Sequence, residues 1–175
     1  MRDVQIAYIG GGSRGWARTF MYDLALQEKF CGCVRLCDVD AAAAECNKVI
    51  ADRLNENGQV KSKFVYSVSK TPGEALRGAD FVVISILPGT FDEMEFDVHT
   101  GEKFGVYQSV GDTAGPGGVL RAMRAGPMFE EFARGIEKYC PQAFVINFTN
   151  PTTFCARMLS GTFPKIKVFG CCHEV

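Results

Sequence analysis

No run of basic residues interrupts this sequence, no apolar stretch approaches the ~20 residues that cross a bilayer, and Met1 leads directly into a charged pair, Arg2 and Asp3, with no apolar leader behind it. The first absence, with a formal net charge of −1, leaves no electrostatic footprint for nucleic acid or for an anionic membrane surface. The other two exclude a membrane helix and a secretory signal, and predict a cytoplasmic protein. Cysteine is not scarce: there are eight. Without a secretion signal they do not read as a disulfide framework, and Cys31, Cys33, Cys37, Cys46, Cys140 and Cys155, lying in or beside apolar runs, are expected to be reduced core thiols. With 47% hydrophobic residues, 175 positions suffice for one compact domain and are marginal for two.

What is present begins at Val4–Gly15, VQIAYIGGGSRG. A short apolar run of strand formers, suited to a buried parallel strand, opens directly into glycines spaced G-x-G-x-x-G at Gly10, Gly12 and Gly15. The first permits a tight turn, the second lets backbone N–H groups approach a pyrophosphate, and the third lets the next helix pack closely. That helix is predicted from Ser13 to Gln27, its N-terminal dipole aimed at the phosphates. A second run, Val34–Val39, carries Asp38 at the distance where a dinucleotide fold places the acid that accepts from the adenosine ribose. Such a carboxylate repels a 2′-phosphate and favours NAD over NADP. The alternative is that Asp38 or Asp40 only caps the following helix.

Helix and strand signals then alternate: a helix over Ala41–Asn55 with Cys46, Val49, Ile50 and Leu54 on one face, a strand over Lys63–Ser67, a short helix over Thr71–Arg77, and a buried strand over Phe81–Leu87. Pro88 and Gly89 break the chain at the carboxyl end of that strand, the edge where open α/β sheets bind ligands. Asp92, Glu93, Glu95 and Asp97 follow, on a segment expected to be a solvated face, and His99 reads as a surface or satisfied core histidine rather than a metal ligand. The loop Tyr107–Gly118 frames Asp112 and Thr113 with glycines and reads as a ligand loop. It feeds a helix to Tyr139, interrupted near Pro127, whose Arg121 and Arg124 either answer an anion or face solvent. A fifth strand, Ala143–Phe148, runs into Thr149, Asn150 and Pro151, polar groups that can contact a nicotinamide, ribose or sugar, or cap the next helix. A sixth, Ile166–Gly170, ends in Cys171, Cys172 and His173. Neighbours on an extended chain point to opposite faces, so at most one of Cys172 and His173 is a metal ligand. The pattern is α/β, a doubly wound parallel sheet of the Rossmann kind.

Five ordered segments, IAYIGGGSRGWAR, ISILPG, YQSVGDTAGPGG, NFTNP and GCCHEV, together resemble the amino-terminal part of glycoside hydrolase family 4, most nearly its α-galacturonidase branch, over essentially the whole chain. The resemblance implies a fold like lactate and malate dehydrogenases and cleavage of a small-molecule glycoside with NAD and a divalent metal, usually manganese. It implies oxidation at C3, elimination across C1–C2, addition of water and re-reduction, outside the two-carboxylate rule for glycosidases. Carried over, Gly10, Gly12, Ser13, Gly15, Asp38 and Pro88 form the cofactor set, Cys172 matches the metal-binding cysteine, and Asn150 the substrate-contacting asparagine. Asp112 falls where many relatives carry a glutamate near the sugar. His173 stands where phospho-sugar branches tend to carry an aspartate acid. The lack of an arginine around FDEMEF agrees with an unphosphorylated substrate.

Relatives are well over twice as long and homo-oligomeric, with a second metal-ligating histidine and a tyrosine base beyond the positions matched here. Residues 1–175 are therefore expected to be a nucleotide domain without its catalytic partner, binding NAD but not turning over glycosides. An NAD-dependent hydroxy-acid dehydrogenase and a non-catalytic NAD-binding module are the alternatives.

Overall fold

The computed structural model describes residues 1–110 and 113–172. Its strands are β1 (Arg2–Ile9), β2 (Phe30–Cys37), β3 (Phe64–Val68), β4 (Phe81–Ile84), β5 (Phe144–Asn147) and β6 (Lys167–Gly170). Its helices are α1 (Trp16–Leu26), α2 (Ala41–Asn55), α3 (Pro72–Leu76), α4 (Phe91–His99), α5 (Gly115–Tyr139) and α6 (Thr152–Thr162), with a 3₁₀ turn over Thr100–Phe104. The strands form one parallel sheet in the order β3-β2-β1-β4-β5-β6. Strand order reverses between β1 and β4, the doubly wound arrangement expected from the alternation of patterns.

Two apolar layers follow from the alternation of side chains along β1. Ile6 and Tyr8 pack with Ala17 and Met21 of α1 and with Ala44 and Ala51 of α2, whereas Ala7 and Ile9 share a layer with Leu76 of α3, Phe129 and Ala133 of α5, and Leu159 of α6. Both faces of the central strand are thus covered. No helix among the described residues is long and apolar enough to cross a membrane.

Several boundaries and faces differ from expectation, each for a local reason. Helix α1 begins at Trp16, not Ser13, because the Ser13 N–H closes a turn onto the Gly10 carbonyl at 3.1 Å. Strand β2 begins at Phe30, four residues earlier, since its whole length pairs with β1. Helix α2 has the predicted bounds but buries Ala44, Asn47 and Ala51, leaving Cys46 and Val49 exposed. Small side chains let α2 lie close to the sheet, and Ile50 and Leu54 are left half-buried at the flank of the buried stripe. Helix α5 runs unbroken through Pro127, which is exposed; the carbonyl it leaves without a donor belongs to Met123, itself 70% exposed, so water can satisfy it. The helix also starts at Gly115, inside the segment expected to be loop, because Gly118 carries no side chain where a Cβ would stand 2.6 Å from the Thr113 carbonyl carbon. The thiols are free, but only Cys37, Cys140 and Cys155 are buried; Cys31 and Cys33 are half-buried and Cys46 is exposed.

Candidate functional site

Strand register sets the site. Cys37, Ile9, Ile84, Asn147 and Gly170 stand side by side across β2, β1, β4, β5 and β6. All strands run the same way, so the segments following these five residues emerge at one edge. They carry Asp38, the glycine loop, the Pro88 turn, Asn150 and Cys172. Chain order scatters these residues; the parallel sheet collects them.

The glycine loop is built by close approach. Gly10 has φ +94°, and a Cβ there would lie 1.9 Å from the Ser85 carbonyl oxygen. The N–H groups of Gly10 and Gly11 donate to the Cys37 carbonyl at 2.8 and 3.0 Å, so the loop folds back over the end of β2. Gly12 donates its N–H to Asp38 Oδ2 at 2.8 Å, and a Cβ on it would meet Ala43 Cβ and that same oxygen at 2.9 Å each. Gly15 differs from expectation: nothing lies within 4 Å of a Cβ built there, so it is not needed for helix packing. The tight glycine that sequence spacing passes over is Gly11, whose Cβ would stand 2.7 Å from Leu36 Cβ. Ser13 accepts from the Trp16 N–H at 3.1 Å and so satisfies one of the orphan donors of α1. Trp16 stacks on Phe148 at the end of β5, ring centroids 5.2 Å apart, which ties the start of α1 to the β5 edge.

The two acids after β2 divide the roles that sequence left open. Asp40 caps α2, accepting from the Ala43 N–H at 3.0 Å. Asp38 accepts from Gly12 through Oδ2 and from the Asp40 N–H through Oδ1, so its carboxylate is fixed at the mouth of the glycine loop. A fully buried asparagine supports this loop from below. Asn47 of α2 donates to the carbonyls of Gly11 and Ser13 at 2.8 and 2.9 Å and accepts from Arg18 Nε at 2.9 Å. Its signal in sequence is a polar residue on the 44-47-51 stripe of an alanine-rich helix.

At the next strand end, Arg124 organises the turn. It forms a forked pair with Asp97, 2.8 and 3.0 Å, and donates to the Pro88 carbonyl at 3.2 Å. Asp97 therefore does not belong to a solvated face: its side chain is 3% exposed, and the acids around it, Asp92, Glu93 and Glu95, are the exposed ones. Thr90 and Glu93 form a reciprocal capping box on α4, and those contacts hold the Glu93 carboxyl below its ordinary range. Of the two readings for His99 the structure shows the surface one: it is exposed and paired with Glu102 at 2.7 Å, which raises its pKa. Arg121 is buried and donates from Nε to the Asn150 carbonyl at 3.1 Å. Both arginines thus answer partners within the chain, Arg124 a carboxylate and Arg121 a carbonyl.

Thr149 accepts from the Ile86 N–H at 2.9 Å and is clasped by Asn147 through both ends of its amide, which locks the end of β4 to the end of β5. Thr149 is accordingly a buried brace. The Asn150 side-chain oxygen accepts from the Thr152 hydroxyl at 2.8 Å. Asn150, Thr152, Thr113 and Cys172 line an open depression of about 1030 Å³ beside α6 and β6. Cys172 is exposed at its margin. Among the described residues no group of three or more His, Cys, Asp or Glu side chains could hold a metal ion. Asp112 and His173 lie outside the described residues.

The model of the family described as "Family 4 glycosyl hydrolase" matches residues 5–175. An α-galacturonidase of Thermoanaerobacterium saccharolyticum is 58% identical over 175 residues, all of this chain and 38% of its own length. The solved structure of a 6-phospho-β-glucosidase from Thermotoga maritima, with manganese, NAD⁺ and glucose-6-phosphate, is 26% identical and superposes with a TM-score of 0.82 over 98% of this chain and 40% of its own. A malate dehydrogenase from Naegleria fowleri, 14% identical with a TM-score of 0.68 over 98% of this chain and 47% of its own, shares the fold alone. The chain spans about two fifths of the length of the family relatives it matches. Over that span, the chain belongs to family 4 of the glycosyl hydrolases.

Proposed function

We propose that this chain is the nucleotide-binding portion of an NAD-dependent and divalent-metal-dependent α-galacturonidase. The observation that carries the nucleotide reading is the pairing of Asp38 with the Gly12 N–H at 2.8 Å. It fixes a carboxylate at the mouth of a loop too tight for side chains at Gly10, Gly11 and Gly12. That carboxylate accepts the adenosine ribose hydroxyls, and a 2′-phosphate is repelled there. The loop and the start of α1 would hold the pyrophosphate, since N–H groups and the helix dipole there favour negative charge.

When bound, NAD supplies reversible hydride transfer at sugar C3, which acidifies the proton at C2. This chain's own residues orient the participants. The Pro88 turn, braced by Arg124, would line the cofactor site beyond the end of β4. Asn150, whose side-chain oxygen is tied to Thr152, presents its amide toward a sugar in the depression. Cys172 would offer its sulfur to a divalent ion, whose ligand set the described residues do not complete. Asp112 and His173 enter on resemblance alone, as a sugar contact and a proton donor. The galacturonide as substrate rests on the name of the relative that is 58% identical.

Calorimetric titration with NAD and NADP tests the reading. NAD is expected to bind more tightly than NADP, and Asp38→Ala to weaken NAD at least tenfold; equal affinity for both nucleotides, or an unaffected variant, overturns it. A longer chain containing this sequence is then expected to release galacturonate with manganese and without net consumption of NAD. Net consumption of NAD on a hydroxy acid favours the dehydrogenase instead.

A further inference from the structure

We infer that Asn47 is a positioning residue for the nucleotide: from the opposite side of the glycine loop it sets the peptide planes that the pyrophosphate meets. The inference rests on the reading of that loop as the NAD site. Asn47 is wholly buried, and three of the four hydrogen bonds its amide can make are filled. Arg18 can only donate, so its bond to Oδ1 fixes which end of the amide faces the loop. The NH₂ end must then face the loop, and both of its hydrogens are used, on Gly11 O and Ser13 O.

Those two carbonyls belong to the Gly11–Gly12 and Ser13–Arg14 peptides. In a trans peptide the N–H points opposite to the C=O. Drawing both carbonyls down onto α2 therefore turns the Gly12 and Arg14 N–H groups away from it. The Gly12 N–H reaches Asp38 as a result. The Arg14 N–H is left facing outward at the start of α1, where an anion is favoured. One side chain thus couples the ribose acid and the phosphate-facing donor, although it touches neither ligand group. A glycine loop has little stiffness of its own, so an external clamp of this kind lowers the ordering cost of binding.

The discriminating variant is Asn47→Asp. It keeps the shape, the volume and the Arg18 contact but turns an oxygen toward two carbonyl oxygens, so a residue that only fills space would be replaced without loss. Calorimetry is expected to show NAD and ADP each bound at least tenfold more weakly by Asn47→Asp, with adenosine, which keeps the ribose contact to Asp38 but has no phosphates, weakened by a smaller factor. Arg18→Met, which frees the amide to rotate, is expected to weaken NAD by a smaller factor, about three to five, and serves if the first variant does not fold. Hydrogen exchange without nucleotide reads the clamp directly. The Gly12 amide is expected to be protected in the wild type and to exchange at least tenfold faster in either variant. Wild-type NAD affinity in a folded Asn47→Asp, or unchanged Gly12 exchange in both variants, overturns the inference. Failure of the wild type to bind NAD, with the exchange effect intact, overturns the nucleotide reading and leaves the clamp standing.

Discussion

Gly12→Ala and Gly15→Ala remove glycines from the same motif, yet the structure assigns them different costs. A methyl at Gly12 stands 2.9 Å from Ala43 Cβ and 2.9 Å from Asp38 Oδ2. Ala43 is in the first turn of α2 and cannot yield without moving the helix. The Asp38 carboxylate can rotate, but then it leaves the Gly12 N–H and the ribose position together. Overpacking of this kind costs about 1–3 kcal/mol, and a hydrogen bond to a charged group is worth about 1.5–3 kcal/mol. Overpacking lowers stability, whereas loss of the bond that fixes Asp38 takes about 1.4 kcal/mol or more from binding, which is tenfold in affinity. At Gly15 nothing lies within 4 Å of an added Cβ, and its φ of −94° is open to alanine. Stability of Gly15→Ala is expected within about 0.5 kcal/mol of the wild type, with NAD affinity within threefold. Urea denaturation and calorimetry on both variants settle the matter. Gly12→Ala binding NAD as well as the wild type, or Gly15→Ala losing as much as Gly12→Ala, refutes the assignment of the contacts.

Arg124→Leu leaves the Asp97 carboxylate buried without its forked partner, and a loss of about 3 kcal/mol in urea unfolding is expected; a loss under 1 kcal/mol would show that the pair is dispensable. In a thiol titration with an aromatic disulfide, Cys46 and Cys172 should react at once, while Cys37, Cys140 and Cys155 should react only on unfolding, since burial pushes their pKa values up to about 11, 11 and 12. The same shifts make stability fall at alkaline pH: unfolded thiols ionise near ~8.5, the folded ones higher, so the native state is favoured below that pH and loses ground from there to about 11. A urea midpoint independent of pH from 8 to 11 contradicts this. In a longer chain containing this sequence, Cys172→Ser should raise the manganese concentration needed for galacturonide hydrolysis at least tenfold, with NAD affinity unchanged.

Elements with a strong period or an unbroken apolar run were legible in the sequence: β1, α2 and the start of β4 lie where pattern places them, because burial on both faces leaves parallel strands little choice of composition. The position of Asp38, Pro88 and Asn150 just beyond strand ends was legible as well, since turn residues after an apolar run mark where a strand stops. What pattern missed depends on contacts between distant segments. Nothing near Asp97 indicates burial; its partner Arg124 is 27 residues away on another helix. Pro127 reads as a break because sequence does not show that Met123, the residue whose carbonyl it deprives, is exposed.

The burial of α2 was misjudged for a related reason, and the error bears on function. Hydrophobic size assigns the inner face to Val49 and Leu54, but close approach to the glycine loop requires small residues, Ala44 and Ala51, around one amide. A larger stripe would hold α2 off the sheet, and Asn47 could no longer reach the Gly11 and Ser13 carbonyls at 2.8 and 2.9 Å. Helix packing distance and loop geometry are therefore one constraint. By the same logic Ala51→Leu, although it adds apolar area to a helix and lies one turn beyond Asn47, should weaken NAD binding severalfold. Ala51→Leu with unchanged affinity would mean that the loop holds its shape without α2.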